Sequence, residues 1–277
     1  MDQNAFKPAR LPANEAGRLA AVNRTGLMDS ANTARFDHHA RLFRHIAQVP
    51  VSYTGLLDET RQYFLAENFT GCLIGAREVA RHETVCQHAL LDTKPYIVPD
   101  MRIDPVFAQH PLVASDPHWV FWAGFPLVTG EGYILGTICA VDFTPRQLSE
   151  DQIGLLRGIA ADMTISIQMQ ADQQELIARK SEAVLAALHK HGVGSLAVAR
   201  AFLDLCLGKR VDAQDARGVI DSGLAVERDG GVVLSAAGAS LKTGHGLGPA
   251  DYKAVLSPIR NAELLDEMFN LMDEAEV

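Results

Sequence analysis

The stretch that most limits the possible folds runs from His118 to Gln152, HWVFWAGFPLVTGEGYILGTICAVDFTPRQLSEDQ. Two apolar runs flank Gly130-Glu131-Gly132, and the second stops at Pro145 before a charged segment. Alternating apolar runs joined by a short Gly-containing turn form an antiparallel hairpin. Because successive strand side chains point to opposite sides, Phe121, Ala123, Phe125 and Leu127 share one face, and Trp122, Gly124, Pro126 and Val128 the other. In the returning strand Gly136, Ile138 and Ala140 oppose Leu135, Thr137, Cys139 and Val141. One face serves the core. The small residues beside bulky ones either leave room for a ligand or allow close packing of strands, and the pattern does not assign which face lines a cavity.

Upstream, the spacing of Leu19, Val22 and Leu27, then of Phe36, Leu42, Phe43 and Ile46, predicts two amphipathic helices broken near Gly26 to Ser30. VPVSYTGLLDETRQYFLAENF reads as a second hairpin turning at Asp58-Glu59-Thr60. HETVCQHALLDTKPYIVPD reads as a helix carrying Cys86 and His88, then a short strand. The irregular stretch from Asp100 to His118 exceeds most connections inside a compact domain, and such loops often form lids or binding loops.

A chain of 277 residues, 48% of them hydrophobic, has the material for a core of about 150 residues plus a smaller attachment. A net charge of -9 repels phosphate backbones on average, so any DNA contact must be local. There is no apolar run of membrane-spanning length and no signal-peptide core, so a cytoplasmic protein is expected. Cys72, Cys86, Cys139 and Cys206 lack metal-ligand spacing and are read as free thiols.

RLAAVNRTGLMDSANTARFDHHARLF, DETRQYF, VCQHALLDTKPYIVPDMRIDPVFAQHPLV and FWAGFPLVTGEGYILGTICAVDFTPRQLSEDQ, in that order, resemble the GAF sensory domain found ahead of bacterial signalling outputs. The resemblance covers residues 15–168. It implies an α+β fold: an antiparallel sheet with helices on one side and a ligand cavity enclosed by loops on the other. A small-molecule ligand is therefore expected, in a pocket formed by Cys86, Asp100, Phe107, Trp122, Gly124, Thr137 and Cys139.

Each residue also has a plainer use. Asp104-Pro105 has the form of a helix start, so Asp104 is assigned to capping, whereas Asp100 has no such local use and is the better pocket carboxylate. Phe107 and Trp122 either close over a ligand or belong to the core. Some GAF domains reduce free methionine sulfoxide with cysteines, but no cysteine cluster lies near the Asp58 hairpin, so thiol redox sensing or reductase activity is a distant alternative and a non-catalytic sensor is expected. Cys86-Gln87-His88 departs from the bilin-attachment pattern of phytochromes, and His38, His39 and His45 share a predicted surface helix without carboxylates at ligand spacing. Neither bilin nor metal is expected.

From Glu150 the positions Ile153, Leu156, Met163, Ile167, Ile177, Val184 and Leu188 keep a heptad-like spacing, predicting a connecting helix over 148–191 that pairs with a second copy in a homodimer. Beyond Gly192-Val193-Gly194, helix, turn, helix and hairpin follow in the order of a winged helix, and DSGLAVERDGGVVLSAAGASL resembles the recognition-helix end and wing of that family. DNA contacts would fall to Lys209, Arg210, Arg217 and Arg228, but Asp212, Asp215 and Asp221 lie among them, which favours a dimerisation or protein-binding unit. The expected organisation is an arm over 1–14, a GAF domain over 15–168, and a winged-helix-like module over 195–277. That module ends in an acidic helix striped by Leu264, Leu265, Met268 and Met272.

Overall fold

The computed structural model describes residues 6–30, 34–67 and 77–248 and divides into two compact units between Ala171 and Asp172. The first unit opens with α1 (Glu15–Arg24) and α2 (Asp37–Ala47), followed by strands β1 (Val51–Leu57), β2 (Arg61–Glu67) and β3 (Glu78–Ala80). A 3₁₀ helix, Val85–Leu91, leads to β4 (Tyr96–Val98) and the short helix α3 (Pro111–Ala114). The unit closes with β5 (Phe121–Val128), β6 (Ile134–Asp142) and the first part of the long helix α4 (Glu150–His189). Six strands form one antiparallel sheet in the order β3-β2-β1-β6-β5-β4, with the predicted hairpin near its centre. This is the α+β architecture expected.

The register assigns the faces. Phe121, Ala123, Phe125, Leu127, Ile138 and Ala140 share one core with Val22, Phe36, Phe43, Leu156, Met163 and Ile167 of the helical layer and its connections. Phe43 meets Phe125 edge-on at 5.2 Å between ring centroids, a favoured aromatic geometry. The opposite face places Tyr53, Trp122, Cys139 and Val141 in a second core with Val85, Cys86, Leu90, Phe107 and Trp119. One sequence assignment is corrected by a bulge. The register shifts between Leu127 and Val128, so Val128 pairs with Ile134 and Leu135 joins the helix-side core instead of the face of Thr137. Gly136 serves close packing: a Cβ there would lie 2.0 Å from the Gly55 carbonyl oxygen.

α1 is fixed to the sheet by a buried arginine. Arg18 donates to the Leu57 carbonyl at 2.6 Å and the Ile134 carbonyl at 3.3 Å, and it pairs with Glu15 at 2.8 Å. Arg81 also pairs with Glu15 and donates to the Asp58 carbonyl at 2.9 Å. Burial raises the Glu15 carboxyl, but the two guanidinium groups outweigh it and hold its pKa at about 2. The network pins the β1–β2 turn and the chain leaving β3.

Two helical expectations change. In α2, His39, Ala40, Phe43 and Ala47 are buried while Leu42 is 49% exposed. His39 is therefore not a surface residue: its Nε2 lies 3.1 Å from Asp162 of α4, and burial lowers its pKa. In α4 the expected intermolecular seam faces this chain's own cores. Leu156, Met163 and Ile167 are fully buried against the sheet, with Ile153 packed beside them, while Val184 and Leu188 are fully buried in the second unit and Ile177 is half-buried. A helical apolar stripe marks a buried face without saying what buries it. The other side of α4 carries exposed Leu155, Ile165, Met169 and Leu176.

The second unit takes in the C-terminal part of α4, then α5 (Leu196–Cys206), α6 (Arg217–Asp221), β7 (Ala225–Arg228), β8 (Gly231–Leu234) and α7 (Ala236–Gly244). It begins before the expected residue 195 because Val184 and Leu188 complete a core with Phe202, Val219, Leu224 and Leu241. Asp229 and Gly230, with φ of 52° and 77°, form the two-residue turn of the β7–β8 hairpin. The predicted acidic helix with Leu264, Leu265, Met268 and Met272 lies outside the described residues, as does Cys72.

Candidate ligand cavity

On the face of the sheet away from the helices, β1, β2 and β3 form one wall of a cavity of about 810 Å³. Tyr53 and Phe64 come from β1 and β2, and Val79 from β3. The segment after β3 contributes His82, Glu83, Thr84 and Val85, and the long loop before β5 contributes Gln109 to Leu112 and Trp119. This volume falls within the usual range for small-molecule sites, which combine apolar walls with a few placed polar groups.

The N-terminal segment adds to the cavity wall and was not legible as part of it. Phe6 and Pro8 line the cavity. The Phe6 ring stands edge-on to His110 at 4.4 Å and also packs near His88 and Phe107. Ala9 donates its amide to Gln87 at 3.0 Å, so the described part of the expected arm is held against the domain. One aromatic residue in a polar, proline-containing segment was the available signal.

His110 has a defined role in the wall. Its Nε2 lies 2.9 Å from the Glu83 carbonyl, and its Nδ1 accepts from the Leu112 amide at 3.1 Å. Donation from Nε2 and acceptance at Nδ1 require the neutral ring, and burial lowers its pKa in the same direction. Burial, then the nearby His110, also lowers the pKa of His88.

Behind the wall lies a buried polar chain. Trp122 donates from Nε1 to the Tyr53 hydroxyl at 3.2 Å, and that hydroxyl lies 3.2 Å from Cys86 Sγ. Cys86 Sγ lies 3.5 Å from Cys139 Sγ, which donates to Thr137 Oγ1 at 3.1 Å. The arrangement follows from register, since Tyr53 pairs with Cys139 and Gly55 with Thr137. Thr84 caps the 3₁₀ helix through the Cys86 amide at 3.2 Å and bonds Gln62.

The expected pocket residues lie behind the cavity wall. Cys86, Trp122, Thr137 and Cys139 form the supporting chain, and none of them lines the cavity. Phe107 is fully buried and packs near Trp122 at 5.9 Å. Gly124 lies under the Trp122 ring, where a Cβ would approach within 2.5 Å, so it allows packing instead of bordering open space. Asp100 is held by Arg102 at 2.7 Å and does not reach the cavity. Asp104 caps the following turn through the amides of Val106 and Phe107, at 2.8 and 3.2 Å.

In the second unit, Lys209 pairs with Asp204 at 2.6 Å, and Arg228 lies 3.9 Å from Asp229. Arg210 and Arg228 border a cleft shared with Asp212, Glu227 and Asp229, and Arg217 begins α6. These cations form no uninterrupted basic face. Among the described residues, no group of three or more His, Cys, Asp or Glu is placed to hold a metal, and no helix is long and apolar enough to cross a membrane.

A six-stranded antiparallel sheet, helices on one face and a loop-bordered cavity on the other define an α+β domain with a pocket away from its helices. The GAF domain family model matches residues 13–167, and the chain belongs to that family. It is 31% identical over 150 residues to a cyclic di-GMP phosphodiesterase of Pseudomonas aeruginosa, a match covering 54% of this chain and only 25% of that protein. Among solved structures, the blue-light absorbing form of the Thermosynechococcus elongatus PixJ GAF domain aligns with 14% identity and a TM-score of 0.44, over 61% of this chain and 96% of the other. The GAF region of a putative membrane protein from Geobacter sulfurreducens aligns with 16% identity and a TM-score of 0.43, over 54% and 99%.

Proposed function

We propose that this chain is a non-catalytic, cytoplasmic sensory regulator that binds a small molecule with flat apolar character in the cavity beneath β1 to β3. The observation that carries this reading is the wall itself: Phe6, Tyr53, Phe64 and Trp119 surround a space of about 810 Å³, with the neutral His110 among the polar groups. The match to part of a cyclic di-GMP phosphodiesterase supports a role in signalling. A second copy docks along the exposed Leu155, Ile165 and Met169 side of α4. Ligand state passes along α4 to the second unit, which acts by binding a protein partner.

A titration with 8-anilinonaphthalene-1-sulfonate, an aromatic probe that binds apolar pockets through its rings and carries a sulfonate, tests the cavity. Saturable binding by the wild type should be lost in Leu112→Trp, which adds volume at a half-buried wall position while the thermal midpoint stays unchanged. Equal binding by both would move the site elsewhere. The rival output, DNA, is tested by salt-dependent affinity of the wild type against Arg210→Ala combined with Arg217→Ala. Weak binding that the double substitution leaves unchanged is expected, whereas tight, site-specific binding that falls steeply with salt would favour a DNA regulator.

A further inference from the structure

We propose that Cys86 and Cys139 form a reversible disulfide with peroxide as the oxidant, and that Tyr53 conveys the change to the cavity wall. The two sulfurs come from distant parts of the chain, one on the 3₁₀ helix and one in the centre of β6, yet lie 3.5 Å apart. Closing to a bond of ~2.05 Å requires a movement of about 1.5 Å, which rotation of a cysteine side chain supplies. Four oxygen-bearing side chains surround or adjoin the pair: Tyr53 and Thr137 at the sulfurs, Thr84 beside the Cys86 amide, and Gln62 behind Thr84. A pair of inert core cysteines would need none of these hydrogen bonds.

Both thiols are fully buried behind Tyr53 and Thr84, which belong to the cavity wall as well as to this network, so the oxidation requires the wall to open and hydrogen peroxide to approach Cys86 from the cavity side. Burial pushes the Cys86 thiol up, while hydrogen bonds involving Cys139, Thr137, Tyr53 and Thr84 outweigh it and hold its pKa below the ordinary thiol value. Burial and the neighbouring Cys86 push Cys139 well up, so it remains the protonated partner. The thiolate of Cys86 attacks one peroxide oxygen, the O–O bond breaks, and the departing hydroxide takes a proton to leave as water. Cys86 is then a sulfenic acid. Cys139 Sγ attacks Cys86 Sγ, the S–O bond breaks, and the hydroxyl leaves as a second water with the Cys139 proton. Two thiols and one hydrogen peroxide thus become one disulfide and two waters. When Cys86 Sγ turns toward Cys139, the Tyr53 hydroxyl loses a partner while keeping the Trp122 N–H, so the ring in the cavity wall shifts.

The test treats the folded full chain with hydrogen peroxide, blocks remaining thiols with N-ethylmaleimide and maps tryptic peptides by mass spectrometry. The expected product links the peptides containing Cys86 and Cys139, is reversed by dithiothreitol, and quenches or shifts tryptophan fluorescence. In Cys139→Ser the sulfenic acid at Cys86 should persist and be trapped by dimedone; in Cys86→Ser, Cys139 should remain a thiol. The proposal is overturned if Cys86 and Cys139 both stay alkylatable under conditions that oxidise Cys206, or if their link forms only in denaturant. It is equally overturned if dimedone labels Cys139 in place of Cys86.

Discussion

On its helix side the β5–β6 hairpin presents Phe121, Ala123, Phe125, Ile138 and Ala140 to a largely apolar core whose Thr54 hydroxyl bonds locally to the Thr137 carbonyl, whereas on its other side Trp122, Thr137 and Cys139 enter a hydrogen-bonded chain that ends at a cavity. Both sides are buried along nearly their whole length. The difference is therefore not hydrophobicity but what the apolar surface meets. The helix side meets amphipathic helices whose buried faces pack against it. The other side meets short irregular segments, which pack less regularly and leave space that a ligand can occupy.

The comparison breaks first if the helix side tolerates a charge. Ile167→Glu places an unpaired carboxylate in that core, at a cost of several kcal/mol or more, and should unfold the first unit in circular dichroism and urea melts. Ile165→Glu, on the exposed side of α4, should leave the melt unchanged and shift sedimentation toward monomer. A folded monomer from Ile167→Glu would restore the intermolecular seam that the packing contradicts. Next in size, Phe125→Ala should cost ~3–5 kcal/mol in urea denaturation, and Phe64→Ala in the cavity wall much less, because Phe64 already borders empty space. Equal costs would mean the cavity side is packed as tightly as the helix side.

Tyr53→Phe sharpens the comparison on the cavity side. It leaves the buried Trp122 N–H without its acceptor and should cost ~1–3 kcal/mol, with a change in tryptophan emission. An unchanged melt and spectrum would show that the polar chain contributes nothing. The smallest effect is pH dependence. His88 and His110 have folded pKa values below the ordinary 6.5, so the neutral rings contribute stability that is fully present above that value and is lost as pH falls through the folded values. Denaturation between pH 7.5 and 5 should show this decline, and His110→Asn should flatten it. A stability that rises on acidification would contradict the neutral His110 geometry.

The sequence was most readable where one physical rule acted alone. Apolar runs and turn residues together predicted the three hairpins, which turn at Asp58-Glu59-Thr60, Gly130-Glu131-Gly132 and Asp229-Gly230. It was less readable where two outcomes share a pattern. The stripe through Leu156, Met163 and Ile167 has the same spacing whether sheet or second copy covers it, and Gly124 looks the same beneath a ring as beside a cavity. The irregular wall was least readable, because Phe6, Glu83 and His110 are brought together by loops whose paths no periodicity encodes. Register explains the rest: Thr137 and Cys139 lie on the cavity side of the sheet, but Tyr53 and the 3₁₀ helix stand between them and the space.

The most direct measurement is native mass spectrometry of the full chain purified under non-denaturing conditions, beside Leu112→Trp prepared in parallel. The expected result is one small molecule per wild-type chain, released on denaturation and missing from Leu112→Trp while both proteins melt alike. A bare wild-type chain, or a molecule retained equally by both, would contradict ligand binding in the cavity beneath β1 to β3.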